Sequence, residues 1–243
     1  MQIKDSVILI TGGAIRVGRA FGLYFAEQGA NIAFSYLSPE ENPEETKKAI
    51  EALGVGALSV RTDVSDLHQI ERLVTETMNR FGRIDTLING AGIWLKSPFL
   101  EISEKEWDLS ISVNLKGPFF CSQAVAPIMQ KQKGGVIVNI TDLSAFQVWD
   151  SYSHHAASKA GLVSVTKYLA AELAPYIRVN AIAPGTILLP PGASEEKITW
   201  SREKSLLKRI GTPEEAAMLI RLIIENDFIT GGIYPVDGGR SLV

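Results

Sequence analysis

Thr11-Gly12-Gly13-Ala14-Ile15-Arg16-Val17-Gly18 stands between an aliphatic run, Val7-Ile8-Leu9-Ile10, and an amphipathic stretch that continues to Gln28. Strand, glycine-rich turn and helix in that order form a seat for a dinucleotide pyrophosphate. Glycines let the backbone approach the anion, and the unpaired N–H groups at a helix start favour its charge. A glycine-rich loop by itself is only a tight turn; the flanking strand and helix make nucleotide binding the better reading. Gly12, Arg16, Val17 and Gly18 are the candidate contacts.

Outward from this loop, short apolar runs alternate with longer amphipathic ones along nearly the whole chain, as βαβ units around a parallel sheet require. Strands are expected at 7–10, 31–35, 57–60, 86–89, 136–140, 177–180 and 233–236, each short and aliphatic, as for strands covered on both faces. Asn42-Pro43-Glu44-Glu45 and Thr212-Pro213-Glu214-Glu215 each place a capping residue before proline, with glutamate positioned to reach back. Ser103 and Glu106 repeat that pattern, while Gly29 and Gly54 suit helix ends that need a left-handed residue. The expectation is a single doubly wound α/β domain over 1–243. Its one irregular stretch, 184–196 with Pro190-Pro191-Gly192 at its centre, leaves the carboxyl end of the sixth strand, where ligand crevices form. The region 184–202 is therefore the candidate substrate loop.

Composition narrows the function further. The 243 residues are 46% hydrophobic and 21% charged, enough for one substantial core. With 24 basic against 27 acidic residues, the net charge of -3 lacks the basic excess of generic nucleic-acid binding. No signal-like N-terminus and no apolar run near the ~18 residues of a membrane span are present, so a soluble, cytoplasmic protein is expected. Cys121 is the only cysteine and reads as a core residue. Three histidines and one cysteine indicate no metal site.

The spacing of the loop resembles the T-G-x-x-x-G-x-G signature of the short-chain dehydrogenase/reductase family, with Arg16 at the middle glycine position. The same exchange characterises the pteridine reductase branch, where the resemblance implies NADP(H). The chemistry agrees, since a guanidinium binds a 2′-phosphate as a fork. Ser35-Tyr36-Leu37-Ser38 after the second strand offers no carboxylate for a ribose 2′-hydroxyl. The competing reading is a solvated surface arginine that leaves cofactor preference unset. Further motifs follow in family order. Asp63-Val64 looks like the adenine contact, and Asn89-Gly90-Ala91-Gly92 resembles N-N-A-G with glycine for the second asparagine. Asn114 falls on the catalytic asparagine, Pro184-Gly185 follows the sixth strand, and Val236-Asp237-Gly238-Gly239 closes the chain. The implied fold is a Rossmann fold, and the implied cofactor contacts include Tyr36, Asp63, Val64, Asn89, Ala91, Lys159, Pro184 and Gly185 beside the loop residues.

The family's active site has a serine, a tyrosine 13 residues on and a lysine four further. Counting back from Lys159 places His155 at the tyrosine and Asp142 at the serine. Tyrosine passes a proton to or from the substrate oxygen while hydride moves at the nicotinamide, and lysine assists it and holds the ribose. The pteridine reductase branch also has aspartate at the Asp142 position, where it supports proton delivery. Imidazole at His155 can act as acid or base, although Lys159 one turn away opposes imidazolium unless Asp142 compensates. Tyr152, on the same helix face, either extends its hydroxyl to the substrate or packs at the helix entrance. Ser144 reads as an ordinary polar residue, and His154 faces elsewhere.

Two functions follow as expectations. The first is hydride transfer from NADPH to a small-molecule carbonyl or pterin-like C=N substrate, with Asn114 holding a relay water. The second is a nucleotide-binding sensor or scaffold that lost turnover with its tyrosine. Family members are commonly tetramers or dimers built on two long helices, here about 103–131 and 152–173, so a homo-tetramer or homo-dimer is implied.

Overall fold

The computed structural model describes residues 1–243. All seven expected strands form: β1 (Val7–Thr11), β2 (Asn31–Tyr36), β3 (Ala57–Arg61), β4 (Thr86–Asn89), β5 (Gly135–Ile140), β6 (Ile177–Pro184) and β7 (Ile233–Val236). They make one parallel sheet in the order β3-β2-β1-β4-β5-β6-β7. β6 runs four residues beyond its expected end because it pairs with β5 on one side and β7 on the other. Pro235 sits in β7, an edge strand, where the missing N–H removes no ladder bond that the fold requires.

Helices cover both faces, as strands apolar on both sides demand. α1 (Arg16–Glu27) and α8 (Pro213–Glu225) bury Phe21, Phe25, Ile220 and Ile224 against one face. α3 (Leu67–Phe81), α5 (Gly117–Gln132) and α6 (Ser153–Glu172) bury Leu73, Cys121, Val125 and Leu169 against the other. α2 (Pro43–Glu51) lies beside β3. Ser103 caps α4 (Glu104–Ile111) and Thr212 caps α8, each with the expected reciprocal glutamate. Asn42 behaves differently: it is left-handed at φ 52°, and its amide donates to Glu45 Oε2 at 2.9 Å instead of accepting from the helix.

Two expectations fail in instructive ways. The helix expected over 103–131 is interrupted by a π-helical turn, Ser112–Lys116, between α4 and α5. Pro118 has no N–H to give the Asn114 carbonyl, so the regular i+4 bond cannot form there. The Gly117 N–H instead reaches back to Ser112 O. The stretch after β6 is irregular as expected as far as Ser194, but the rest of the 184–202 region is a helix, α7 (Glu195–Glu203), capped by Ser194, which accepts from the Lys197 N–H. No helix is long and apolar enough to cross a membrane.

Candidate functional site

Sheet order reverses between β1 and β4, and the crevice beyond their carboxyl ends is where the conserved architecture of such sheets seats ligands. Thr11 bridges it: its hydroxyl accepts from the N–H groups of Gly90 and Ala91, each at 3.1 Å. Ile15 caps α1 with no side-chain bond and no acidic residue occupies the first turn, so nothing competes with an anion there. Gly12 is left-handed at φ 68°, and a Cβ on it would lie 2.9 Å from Ala91 Cα. A Cβ on Gly18 would overlap the Gly12 carbonyl oxygen. Ser35, buried at the end of β2, accepts from the Gly12 N–H at 2.9 Å and fixes the turn. These residues fit a dinucleotide.

Arg16 also adopts a left-handed backbone, at φ 53°. Glycine reaches that region freely, whereas an arginine is strained there by about 1–2 kcal/mol. Its side chain is exposed, and Tyr36 at the end of β2 is half-buried. Val17 is half-buried behind it. On the far side, Asp63 is held by Ser65, whose N–H and hydroxyl donate to Oδ1 at 2.9 and 2.7 Å, and Val64 packs against Gly117. Pro184 ends β6 buried, and the Gly185 N–H joins Val236 O. Asn89 differs from its expected role. Its side chain points into the core, donating to Asn139 Oδ1 at 2.8 Å, so only its backbone reaches the crevice.

The π turn aims Asn114 inward, where it is fully buried. Its Oδ1 accepts from the Ile93 N–H at 2.9 Å and its Nδ2 donates to the Ile93 carbonyl at 3.1 Å, which fixes the amide's orientation. Nδ2 also faces Ser158 Oγ at 3.2 Å and His155 Nδ1 at 3.4 Å. His155 Nε2 lies 2.7 Å from Asp142 Oδ2. His155 thus has a polar neighbour at each ring nitrogen, and it is buried and stacked at 14° against Trp94. Asn114 braces the loop after β4 as well as the ring.

Asp142 takes hydrogen bonds on both oxygens. Oδ1 accepts from the Ser144 N–H at 2.8 Å and from the Ser144 hydroxyl. Burial opposes ionisation of this carboxyl, yet the His155 bond, the Lys159 charge and Ser144 hold it below the ordinary carboxylate value. Lys159 is buried and donates to Ile140 O at 2.9 Å; burial pushes its pKa down while Asp142 acts the other way. Ser144 is thus a partner of the site, not an ordinary polar residue. Tyr152 is half-buried, edge-on to His155 with ring centres 6.2 Å apart, and its hydroxyl has no protein partner. His154 is buried on the other side of α6 with neither ring nitrogen bonded.

Sequence reasoning missed the aromatic wall of the crevice. Trp94 stacks on Trp149 with ring centres 5.6 Å apart, and the Arg240 guanidinium lies over Trp149 at 5.2 Å and over Trp200 at 5.1 Å. The signal was present: Trp94 follows Gly92 by two residues and Arg240 follows the Asp237-Gly238-Gly239 turn. The stack joins four segments that are far apart in the chain.

A parallel sheet with a glycine cradle at its switch point and a lysine-bearing helix across the crevice defines a nicotinamide-nucleotide oxidoreductase. The chain belongs to the short-chain dehydrogenase/reductase family. A family model described as enoyl-(acyl carrier protein) reductase matches residues 13–241. A 3-oxoacyl-(acyl-carrier-protein) reductase of Thermotoga maritima is 38% identical, covering 98% of this chain and 99% of that one. A reductase of the same description from Staphylococcus epidermidis is 33% identical over 96% and 98%. Among solved structures, levodione reductase superposes with a TM-score of 0.93 at 33% identity, covering 99% of both chains. A short-chain alcohol dehydrogenase assigned in Sinorhizobium meliloti gives 0.91 at 34%, covering 99% and 98%. These relatives support an oxidoreductase and lend nothing to the sensor or scaffold reading. None of them carries a pteridine reductase name, so that finer placement rests on this chain's own residues, Arg16 and Asp142 with the 184–188 and 237–242 segments.

Proposed function

We propose that the chain is an NADP(H)-dependent reductase of a carbonyl or conjugated C=N group, related to the pteridine reductase branch. The observation that carries the cofactor assignment is Arg16 in a left-handed conformation. Strain of this kind persists where the side chain has a task, and a guanidinium at this corner of the cradle meets a 2′-phosphate. When bound, the cofactor supplies hydride at its nicotinamide ring. Lys159 would hold the ribose from α6; Gly12, Val17, Gly18, Asp63, Val64, Ala91, Pro184, Gly185 and Tyr36 would line the rest of the cradle.

The proton comes from this chain. Asp142 is held below the ordinary carboxylate value, His155 Nε2 is directed at Asp142 at 2.7 Å, and Lys159 donates to a backbone carbonyl. Tyr152 is the one donor in the cluster with a free hydroxyl. Tyr152 therefore gives its proton to the substrate, and His155 is a positioning residue that holds Asp142 in place beneath it. Titration of the apoprotein with NADPH and NADH, followed by cofactor oxidation with a panel of ring ketones, quinones and dihydropterins, tests the reading. Equal affinity for both cofactors sinks the NADP(H) assignment; a failure of every substrate favours a sensor.

A homo-oligomer, tetramer or dimer, is part of the same reading. α5 and α6 are the longest helices and are apolar on more than one face, and both line one surface groove. Leu115, Phe119, Phe120, Gly161 and Val165 line that groove. A second copy meeting it about a two-fold axis would cover both grooves at once. Light scattering should give at least a dimer, and Phe119→Glu should reduce the mass; a monomeric wild-type protein would refute it.

A further inference from the structure

Helix α7 is weakly held for an element of the candidate substrate loop. Of its nine residues only Ser201 is buried, and neither the sheet nor another helix packs along it. A helix that short is marginal by itself in water. Before it, Pro190-Pro191-Gly192 is exposed, and the one backbone bond of 188–193, from the Ala193 N–H to Pro190 O at 3.2 Å, stays within the segment. After it, the chain is docked. The Leu207 N–H donates to Gly238 O at 3.1 Å, and Gly239 is left-handed at φ 78°, where a Cβ would come within 2.8 Å of Leu206 Cδ1. The Asp237 carboxylate fixes that turn by accepting from the N–H groups of Gly239 and Ser241 at 2.9 and 2.7 Å.

Arg240 follows in the chain and adds a second tie. Its carbonyl accepts from Gln147 Nε2 at 3.3 Å, and its Nη1 donates to Thr186 Oγ1 at 2.9 Å, the side chain's one hydrogen bond. Burial pushes the guanidinium pKa down; Asp142 and Asp237 act the other way only through their fields, since both carboxylates are hydrogen-bonded elsewhere. A cation taken from water without an ion pair needs another partner, and the ring faces of Trp149 and Trp200 supply it. Trp200 belongs to α7. Trp149 lies just before α6, edge-on to Tyr152 with ring centres 6.3 Å apart. One side chain therefore touches both the loosely held helix and the indole beside the proposed proton donor.

Resting on the reductase reading above, we propose that Arg240 is a positioning residue for that reaction: it clasps α7 to Trp149, and through Trp149 it holds the Tyr152 ring in its working place. A planar guanidinium can lie on an indole face while donating from its edge to Thr186, which a lysine ammonium cannot do. The clasp involves no core residue. Its loss frees α7 on one side and leaves the sheet, the Gly238-Gly239 dock and the overall stability nearly as they were. Substrate is then held less well, and Tyr152 spends less time in place to give its proton.

Hydrogen exchange of the full chain, followed by mass spectrometry, reads the clasp without any substrate. Arg240→Gln should speed exchange in 195–203 roughly tenfold, the value of a partly desolvated cation–π contact, with exchange in β1 and β4 and the melting temperature little changed. Trp200→Leu should do the same, and the double variant no more than either, because both remove one contact. NADPH oxidation with menadione, or with whichever other compound of the panel above the wild type reduces, reads the link to Tyr152. Arg240→Gln should raise KM and lower kcat several-fold, and in a Tyr152→Phe background it should lower kcat no further. Unchanged exchange in 195–203, additive effects of Arg240→Gln and Trp200→Leu, or a full kcat loss in the Tyr152→Phe background would each overturn the proposal. Faster, non-additive exchange in a chain that reduces no compound of the panel would uphold the clasp and overturn the reductase reading. Wild-type KM and kcat in Arg240→Gln would overturn the positioning role and leave the reductase standing.

Discussion

Replacing His155 with phenylalanine separates a positioning histidine from a proton donor. Phenylalanine keeps a flat ring of similar size, so stacking on Trp94 is retained while both polar contacts are lost. The bond to Asp142 at 2.7 Å joins an N–H to a charged acceptor and is worth ~1.5–3 kcal/mol; the 3.4 Å approach to Asn114 adds little. Asp142 has a side chain 15% exposed, and limited water access places the loss near the middle of that range, about 2 kcal/mol. For a chain of this size the melting temperature should fall by ~4–8 °C at pH 7. The effect depends on pH in a set direction. The folded protein holds the Asp142 pKa below its ordinary value, so this stabilisation is fully present above the unfolded-chain value of ~3.9 and vanishes as pH falls through the lower folded value. The melting-temperature gap between wild type and variant should be widest near neutrality and close below about pH 4. Calorimetric melts from pH 3 to 8 measure it. An unchanged melting temperature at pH 7, or a gap independent of pH, would show that the His155–Asp142 bond contributes nothing. A turnover loss of ~10²–10⁴ with stability intact would make His155 the proton donor after all.

Tyr152→Phe removes the proposed donor and should lower kcat by ~10²–10⁴ with little change in melting temperature, read by steady-state NADPH oxidation. Arg16→Gly should lose most of the NADPH-over-NADH preference, roughly tenfold or more in Kd, while the relief of left-handed strain leaves the folded protein at least as stable. Lys159→Ala should weaken cofactor binding and abolish turnover, and fluorescence titration of bound NADPH separates the two effects. Burial pushes the Cys121 thiol up to about 12, so iodoacetamide at pH 8 should label it only after denaturant is added.

Much of the fold was legible before any coordinates. The strands are short aliphatic runs between glycine and proline breaks, and burial on both faces makes such runs continuous, so their positions need no tertiary information. The caps at Ser103 and Thr212 are local bonds among residues three apart and were equally readable. The π turn was not, because it depends on Asn114 bonding to Ile93, 21 residues earlier, together with the missing N–H of Pro118. Helix α7 lay hidden behind the Pro190-Pro191-Gly192 break.

For the site, sequence alone fixed the phosphate loop and the spacing of Asp142, His155 and Lys159, since these sit within one βα unit or one helical turn. What His155 does was decided only in three dimensions. Its neighbours are an amide from a different element at one ring nitrogen and a carboxylate from a different loop at the other. The column from His155 through Trp94 and Trp149 to Arg240 and Trp200 is built from four segments that share no local pattern. Periodicity and spacing encode contacts along one element. A binding surface assembled where several strand ends converge is encoded only by the closure of the sheet that brings them together.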